Sequence, residues 1–356
     1  MDPKFWNGRK VLITGHTGFK GSWLSLWMQQ LGAQVVGISL KPLTTPNLFE
    51  QVNVSQGMDS IYQDICDINA LKNIFNQIKP EIVFHLAAQS IVRHSYDYPV
   101  ETYNTNVMGT LNVLESIRSV NTVLAAVIIT TDKCYNNREW IWGYRENDML
   151  GGHDPYSSSK AAAEILISSY RDSYYSGNKP SQQKTSIASC RAGNVIGGGD
   201  WAKDRLIPDI IDGLINSKAV KIRFPQSVRP WQHVLEPLAG YIMLAEKLTL
   251  DGEMFSEAWN FGPSQEDNRS VQWIVDYMSQ QWGSNEKWIR DEGKHPHEAT
   301  HLSLDCTKAH KLLGWFPKWD LPQALDMIID WHKMYLNGND CRSVCINQID
   351  EYMKSH

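Results

Sequence analysis

Short apolar runs and longer stripes of helical spacing alternate along the first half of this chain. Residues 10–14 (Lys-Val-Leu-Ile-Thr) are apolar up to Gly15, as expected of a strand buried on both faces. Apolar positions then recur at helical spacing over 19–31, with Gly32 placed to end the helix. The pattern repeats: a strand at 34–39, a third at 61–63, and a helix to residue 78 with Asp67 as its N-cap. Further strands are predicted at 81–87, 125–130 and 185–191, with helices over 100–119 and from Tyr156 towards Tyr175. Strands alternating with helices at this spacing pair in parallel through right-handed crossovers. The fold class predicted is therefore α/β, a doubly wound parallel-sheet Rossmann domain.

The rhythm fades beyond residue 191, leaving glycine turns (197–199), short strands (221–224, 258–261) and helices near 206–216, 270–282 and 321–336. This predicts a dinucleotide-binding domain over 1–190. A smaller C-terminal α/β substrate lobe over 191–356 would sit at the carboxyl ends of the strands, with some of its strands returning to the first domain.

Composition narrows the function. The chain has 34 basic and 39 acidic residues, a net charge of −5, which argues against nucleic acid or an anionic membrane as partner. Cys66, Cys134, Cys190, Cys306, Cys341 and Cys345 form no CxxC pair and no metal-ligand spacing, so reduced thiols and no bound metal are expected. The opening Met-Asp-Pro-Lys-Phe-Trp has no apolar core of signal-peptide length, and no run approaches a membrane span. A cytoplasmic protein is the expectation. The fourteen tryptophans are expected mainly to fill core.

Gly15-x-x-Gly18-x-x-Gly21 lies between the first strand and its helix, the context in which a glycine motif cradles a pyrophosphate. His16, Thr17, Phe19 and Lys20 belong to the same turn, and Lys20 is placed to pair with a phosphate. The second strand ends Ile38-Ser-Leu-Lys41, without the acid that holds an NAD ribose. NAD is the expected cofactor, with NADP left open. Asp64, after the third strand, reads either as a contact to the adenine or as a turn residue.

Tyr156 and Lys160, four residues apart, share one helical face. An ammonium beside a phenol lowers its pKa, which makes Tyr156 a candidate acid–base group for hydride chemistry on a hydroxyl. Thr131-Asp132 follows the fifth strand. Each feature alone has an ordinary alternative: an amphipathic pair, a turn residue, a buried amide at Asn106. Their joint spacing favours chemistry.

Gly15–Gly21, His85-Leu-Ala-Ala-Gln89, Thr130-Thr-Asp-Lys133, Tyr156-Ser-Ser-Ser-Lys160, Arg191-Ala-Gly-Asn194, Arg205-Leu-Ile-Pro208 and Arg229-Pro-Trp231 together resemble the extended short-chain dehydrogenase/reductase family. Within it the chain is similar to nucleotide-sugar 4,6-dehydratases, and the resemblance implies a CDP-sugar substrate. It also implies a cofactor site that includes Ile65, Leu86, Ala87 and Ala88. Tyr156 would take the C4 hydroxyl proton, Lys160 would hold the nicotinamide ribose, and Thr131 would orient the C4 oxygen. Asp132, kept protonated, would give its proton to the departing C6 hydroxyl. Lys133 stands where dTDP-sugar relatives carry a glutamate base. It would be either a base, its pKa depressed by burial and other cations, or a cation stabilising an enolate, the first being favoured.

A nucleoside diphosphate needs cations and amides. Arg191 and Arg229 are the leading candidates, with Asn194, Lys203, Arg205, Ser90 and Arg93 beside them. Glu298 and His301, in a patch with His295 and His297, are expected near the nucleotide rather than at a metal. The competing readings are a nucleotide-sugar 4-epimerase or 4-reductase, and a non-catalytic dinucleotide-binding regulator. Resemblance further implies a homodimer or homotetramer paired through helices 100–119 and 156–175, and a role in making dideoxy sugars of a bacterial surface polysaccharide (O-antigen, lipopolysaccharide).

Overall fold

The alternation resolves into one sheet of seven parallel strands. They are β1 (Lys10–Thr14), β2 (Gln34–Ser39), β3 (Met58–Tyr62), β4 (Ile82–His85), β5 (Ala125–Ile129), β6 (Ser186–Ala192) and β7 (Ala258–Phe261). Their spatial order is β7-β6-β5-β4-β1-β2-β3. This computed structural model describes residues 1–175, 185–284, 288–293 and 301–355. Thr14 of β1 lies opposite both Ile38 of β2 and His85 of β4, so the winding reverses between β1 and β4. The connections leaving β1 and β4 diverge there, which opens a crevice at the carboxyl edge of the sheet.

The principal helices are α1 (Phe19–Gln30), α2 (Ile68–Ile78), α3 (Thr110–Arg118), α4 (Pro155–Tyr170) and α5 (Leu206–Ile215). They continue with α6 (Leu235–Asp251), α7 (Val271–Trp282), α8 (Leu321–Leu336) and α9 (Cys341–Lys354). Alternate residues of β5 feed opposite cores, as the two-residue strand period requires. Ala125, Val127 and Ile129 pack with Trp23 and Trp27 of α1, Leu238 of α6 and Ile349 of α9. Ala126 and Ile128 pack with Phe75 of α2, Ile117 of α3 and Ile167 of α4. A third core joins Ile211, Ile274 and Ile328 of α5, α7 and α8 beyond the sheet. Trp6, Trp23, Trp27, Trp259, Trp315 and Trp331 are fully buried, so much of the tryptophan content is structural.

Several elements depart from the sequence expectation. β3 spans Met58–Tyr62 rather than 61–63. It is the half-exposed edge strand, so the buried apolar run that marks inner strands is missing. Residues 221–224 shorten to a two-residue strand, Lys221–Ile222. The 258–261 segment is not isolated but pairs with β6 as the outer strand of the main sheet. The helix expected over 100–119 is broken by a π-turn at Asn104–Gly109, and the one towards Tyr175 ends in a second at Arg171–Tyr175. α6 and α9 were not predicted. α6 is buried on nearly every side and so carries no apolar stripe to read.

Glu236 near the start of α6 anchors the C-terminus. Its carboxylate accepts from the Tyr352 hydroxyl (2.6 Å) and the Trp319 amide (2.8 Å). Burial lifts its pKa from 4.5 to about 7. Between these values the folded state holds a proton that the unfolded chain releases, so stability falls as pH rises through that window and levels off above it. The loss is about 1.4 kcal/mol for each pH unit that separates the folded and unfolded titrations. Melting temperatures should decline from pH 5 to pH 7, and Glu236→Gln should flatten that slope; an unchanged slope would show that Glu236 is not its source.

Candidate active site

The glycine turn is built for close approach. Gly15 has φ +77°, and a Cβ there would lie 2.7 Å from the Ala87 amide nitrogen, while one on Gly21 would run into the Gly15 carbonyl. Gly18 is exposed and caps α1 with no side-chain hydrogen bond, leaving the first amides of the helix open to an anion. Beside it, Leu86 donates its amide to Thr14 O (3.1 Å) and Ala87 to Thr14 Oγ1 (3.2 Å), with Ala88 next along the same segment. Thr17 Oγ1 donates to Leu40 O (2.9 Å) and meets Ser39 Oγ (2.8 Å), tying the turn to the end of β2.

Two side chains expected at the cofactor are packed in the core instead. The His16 ring points away from the crevice: it is fully buried against Gly37, edge-on to Phe49, with Nε2 on Ser60 Oγ (2.7 Å). Burial lowers it to about 4, so it is a neutral packing group. Ile65 is also core, wedged against Gly109. Asp64 accepts from the Cys66 amide (2.9 Å) and its carboxylate is exposed, which fits either of the two readings given for it. Lys20, by contrast, enters the crevice with Phe19. Burial, then the charges of Lys160 and Arg205, push Lys20 down to about 8, against the pull of Asp132.

The crevice continues into a cavity of about 340 Å³ whose wall includes Thr131, Asp132, Lys133 and Tyr156. Thr131 donates to Asp132 Oδ1 (3.0 Å) and accepts from the Lys133 amide (3.4 Å), shaping the turn after β5. Asp132 Oδ2 is buried with no hydrogen-bond partner among the described residues. A Cβ on Gly193 would stand 2.9 Å from it. Burial raises the Asp132 carboxyl above its usual range despite Lys133 and Arg229 nearby, in the direction the sequence suggested.

α4 starts at Pro155 behind an Asp154 N-cap and brings Tyr156 to the same wall, while Lys160, one turn on, is buried behind it and does not line the cavity. Asn106 fixes this helix from its π-turn: it donates to Ser159 Oγ (2.9 Å) and to Gln89 O (3.0 Å), and accepts from the Gln89 amide (2.9 Å). The expected lowering of the Tyr156 phenol by Lys160 is not what the geometry gives. Burial pushes Tyr156 up to about 12, opposed by a hydrogen bond with Thr131 and by the Arg205 charge. Lys160 instead donates to Ile129 O (3.3 Å) and is brought down to about 8, again by burial.

Ser90, Arg93, Asn194, Arg205 and Arg229 line the cavity. Arg205 bonds Ser90 Oγ (2.8 Å) and pairs with Asp200 (3.0 Å), and Arg93 pairs with Asp204 (2.9 Å). Arg191 is a correction: it sits beneath α4 in an ion pair with Glu164 (2.7 Å), outside the cavity wall. Lys203 is exposed and His301 offers only its carbonyl to Asn137 Nδ2 (2.9 Å); neither lines the cavity. His295, His297 and Glu298 lie outside the described residues. Tyr96, Arg223 and Phe224 also line the wall and were missed. An aromatic beside a cation after the short strand at 221 was the available signal for the last two.

A family model described as GDP-mannose 4,6 dehydratase matches residues 12–328. The chain is 52% identical over 355 residues to a CDP-glucose 4,6-dehydratase of Salmonella typhimurium, covering 100% of this chain and 99% of that one. The chain belongs to the nucleotide-sugar 4,6-dehydratases of the extended short-chain dehydrogenase/reductase family. Solved structures agree on the fold. A dTDP-glucose 4,6-dehydratase from Bacillus anthracis in complex with NAD superposes with a TM-score of 0.76 at 20% identity, covering 92% of this chain and 97% of that one. A UDP-glucose 4-epimerase from Thermotoga maritima with UDP-glucose gives 0.79 at 22%, covering 92% and 99%.

In this dehydratase, the Asp132 carboxyl, the Tyr156 phenol and the Lys133 amine line one cavity, which suits proton transfers at adjacent carbons. Gly193 is what lets Asp132 Oδ2 sit there. Gly193→Ala would meet the Pro230 ring (2.6 Å) as well as that oxygen, so it should lower turnover about a hundredfold and also lower the melting temperature. Wild-type turnover in this variant would show that the placement of Asp132 does not matter to the reaction.

Proposed function

We propose that this chain converts CDP-D-glucose to CDP-4-keto-6-deoxy-D-glucose and water. The observation that carries the proposal is the convergence of Thr131, Asp132, Lys133 and Tyr156 on one cavity, in a chain matched end to end by a CDP-glucose 4,6-dehydratase. The turn at Gly15, Gly18 and Gly21, where side chains would collide or close the approach, fits NAD, with its pyrophosphate on the open N-terminus of α1. When bound, NAD supplies a hydride acceptor for C4 and returns the same hydride at C6.

The chain's own residues handle protons. Tyr156 rests as the neutral phenol, so its taking the C4 hydroxyl proton depends on positive charge in the filled cavity, assisted by Thr131 and Arg205. Thr131 orients the C4 oxygen. The 4-ketone acidifies C5–H, and Lys133 takes that proton and returns one to C5 as the C5=C6 bond is reduced. Asp132, its carboxyl raised by burial, gives its proton to the C6 hydroxyl, which leaves as water. Arg229, Arg205, Arg93, Ser90 and Asn194 serve the sugar and diphosphate from the cavity wall, and 191–356 supplies most of the substrate lobe. Exposed Tyr98, Val100, Tyr103 and Ile165, on the helical segments around α4, support pairing of two copies. No described helix is long and apolar enough to cross a membrane, and a cytoplasmic enzyme supplying dideoxy-sugar synthesis for a surface polysaccharide accords with this chemistry.

Incubation with CDP-glucose and NAD should give a 4-keto-6-deoxy sugar, which develops a chromophore in alkali. An epimer, which develops none, would overturn the proposal in favour of a 4-epimerase. For the base, Lys133→Met should stop solvent deuterium entering C5 while C4 oxidation stays detectable. Unchanged exchange would exclude Lys133 from that role.

A further inference from the structure

The buried ion pair beneath α4 has no place in the proton transfers above, yet it touches every segment that carries them. Glu164 lies one turn beyond Lys160 and two beyond Tyr156 on the same face of α4. One of its carboxylate oxygens accepts from Thr130 Oγ1; the other accepts from Ser189 Oγ (2.8 Å) and Arg191 Nη2 (2.7 Å). Arg191 Nη1 then donates to the Tyr135 hydroxyl (2.9 Å) and to Glu146 O (2.9 Å). Tyr135 in turn donates to Asn260 Oδ1 (2.7 Å) on β7. Thr130 and Tyr135 closely flank Thr131-Asp132-Lys133. Both ends of the catalytic turn are therefore fastened to one ion pair whose side chains are 4% and 2% exposed.

The pair is also the source of charge at Lys160. Groups acting on that ammonium come from four elements. Lys20 on α1 is a like charge, and His85 at the end of β4 is held neutral, near 3, by burial. Cys134 in the turn is a thiol pushed well up by burial. Glu164 on α4 favours the ammonium, and Arg191 holds Glu164 ionised despite its burial. Of these neighbours only Glu164 carries a full negative charge at neutral pH.

We propose that Glu164 and Arg191 are positioning residues: their ion pair locks the Thr130–Tyr135 turn onto the catalytic helix, and its carboxylate keeps Lys160 charged. This rests on the dehydratase reading for the role of Lys160, but not for the pairing itself. A buried pair kept only for stability is replaceable by uncharged groups of similar size without functional change. This pair is not.

The test compares Glu164→Gln, Glu164→Asp and the double variant Glu164→Gln with Arg191→Met, each checked by thermal melting. Two readouts are followed against pH: turnover of CDP-glucose, and NAD binding by tryptophan fluorescence. Glu164→Gln should bring the alkaline limb of both down by about one pH unit and cut turnover about tenfold. Glu164→Asp, which keeps the charge, should lose turnover and leave the limb in place. The double variant should recover the melting temperature lost in the single one, because no charge is left buried alone, yet keep the shifted limb. Wild-type limbs in both readouts for the double variant would overturn the proposal. If the wild-type protein fails to turn over CDP-glucose, the functional reading falls, and the NAD-binding limb still decides this one.

Discussion

Exclusion of water from the carboxyl edge of the sheet governs the chemistry of this site. Burial is the leading influence on Asp132, Tyr156, Lys20 and Lys160 alike, and in each case it favours the uncharged form. A carboxyl so treated becomes a proton donor and an amine becomes an acceptor. The same constraint thus raises the Asp132 carboxyl and opposes charge on Lys160. The fold answers the second effect locally, by placing a carboxylate one turn away and fixing that carboxylate with an arginine.

Sheet topology makes this possible. Because β1 and β4 part at the switch point, the glycine turn and the 86–88 segment lie side by side, while β5 and β6 deliver the Thr131–Lys133 turn and Gly193 to the same edge. β7 and α6 come from the second half of the chain but complete the sheet and its core. Asn260 on β7 receives the Tyr135 hydroxyl, so the outer strand helps hold the catalytic turn.

What the sequence made legible follows a physical rule. Local signals read true: the glycine turn, the Asp67 cap, the Tyr156–Lys160 spacing and the inner strands all depend on neighbours in sequence. What failed depends on distant partners. His16 looked like a cofactor contact, but the missing side chain of Gly37 gives its ring a place in the core. Arg191 looked like a diphosphate ligand because an arginine after a strand so often is one, and nothing local reveals that Glu164, on another element, claims it. Lys160 sits one turn from Tyr156, yet the cation acting on the phenol is Arg205 from the second lobe. The π-turn at Asn104–Gly109 was invisible for a related reason: Asn106 is held by Gln89 and Ser159 rather than by helical periodicity.

The lysine at position 133 is intelligible within the same constraint. In a wet site a carboxylate is the simpler base, since it is already ionised and needs no help to accept a proton. In a cavity that holds the Asp132 carboxyl above its usual range, an amine next door differs from a glutamate in having to lose a proton before it can act as a base. A Thr-Asp-Lys turn sets a buried carboxyl and a half-buried amine side by side on the cavity wall, and bound sugar would cover the amine. The arrangement works only where a separate, deliberately charged lysine is protected from that constraint, and Glu164 beside Lys160 is the group placed to protect it.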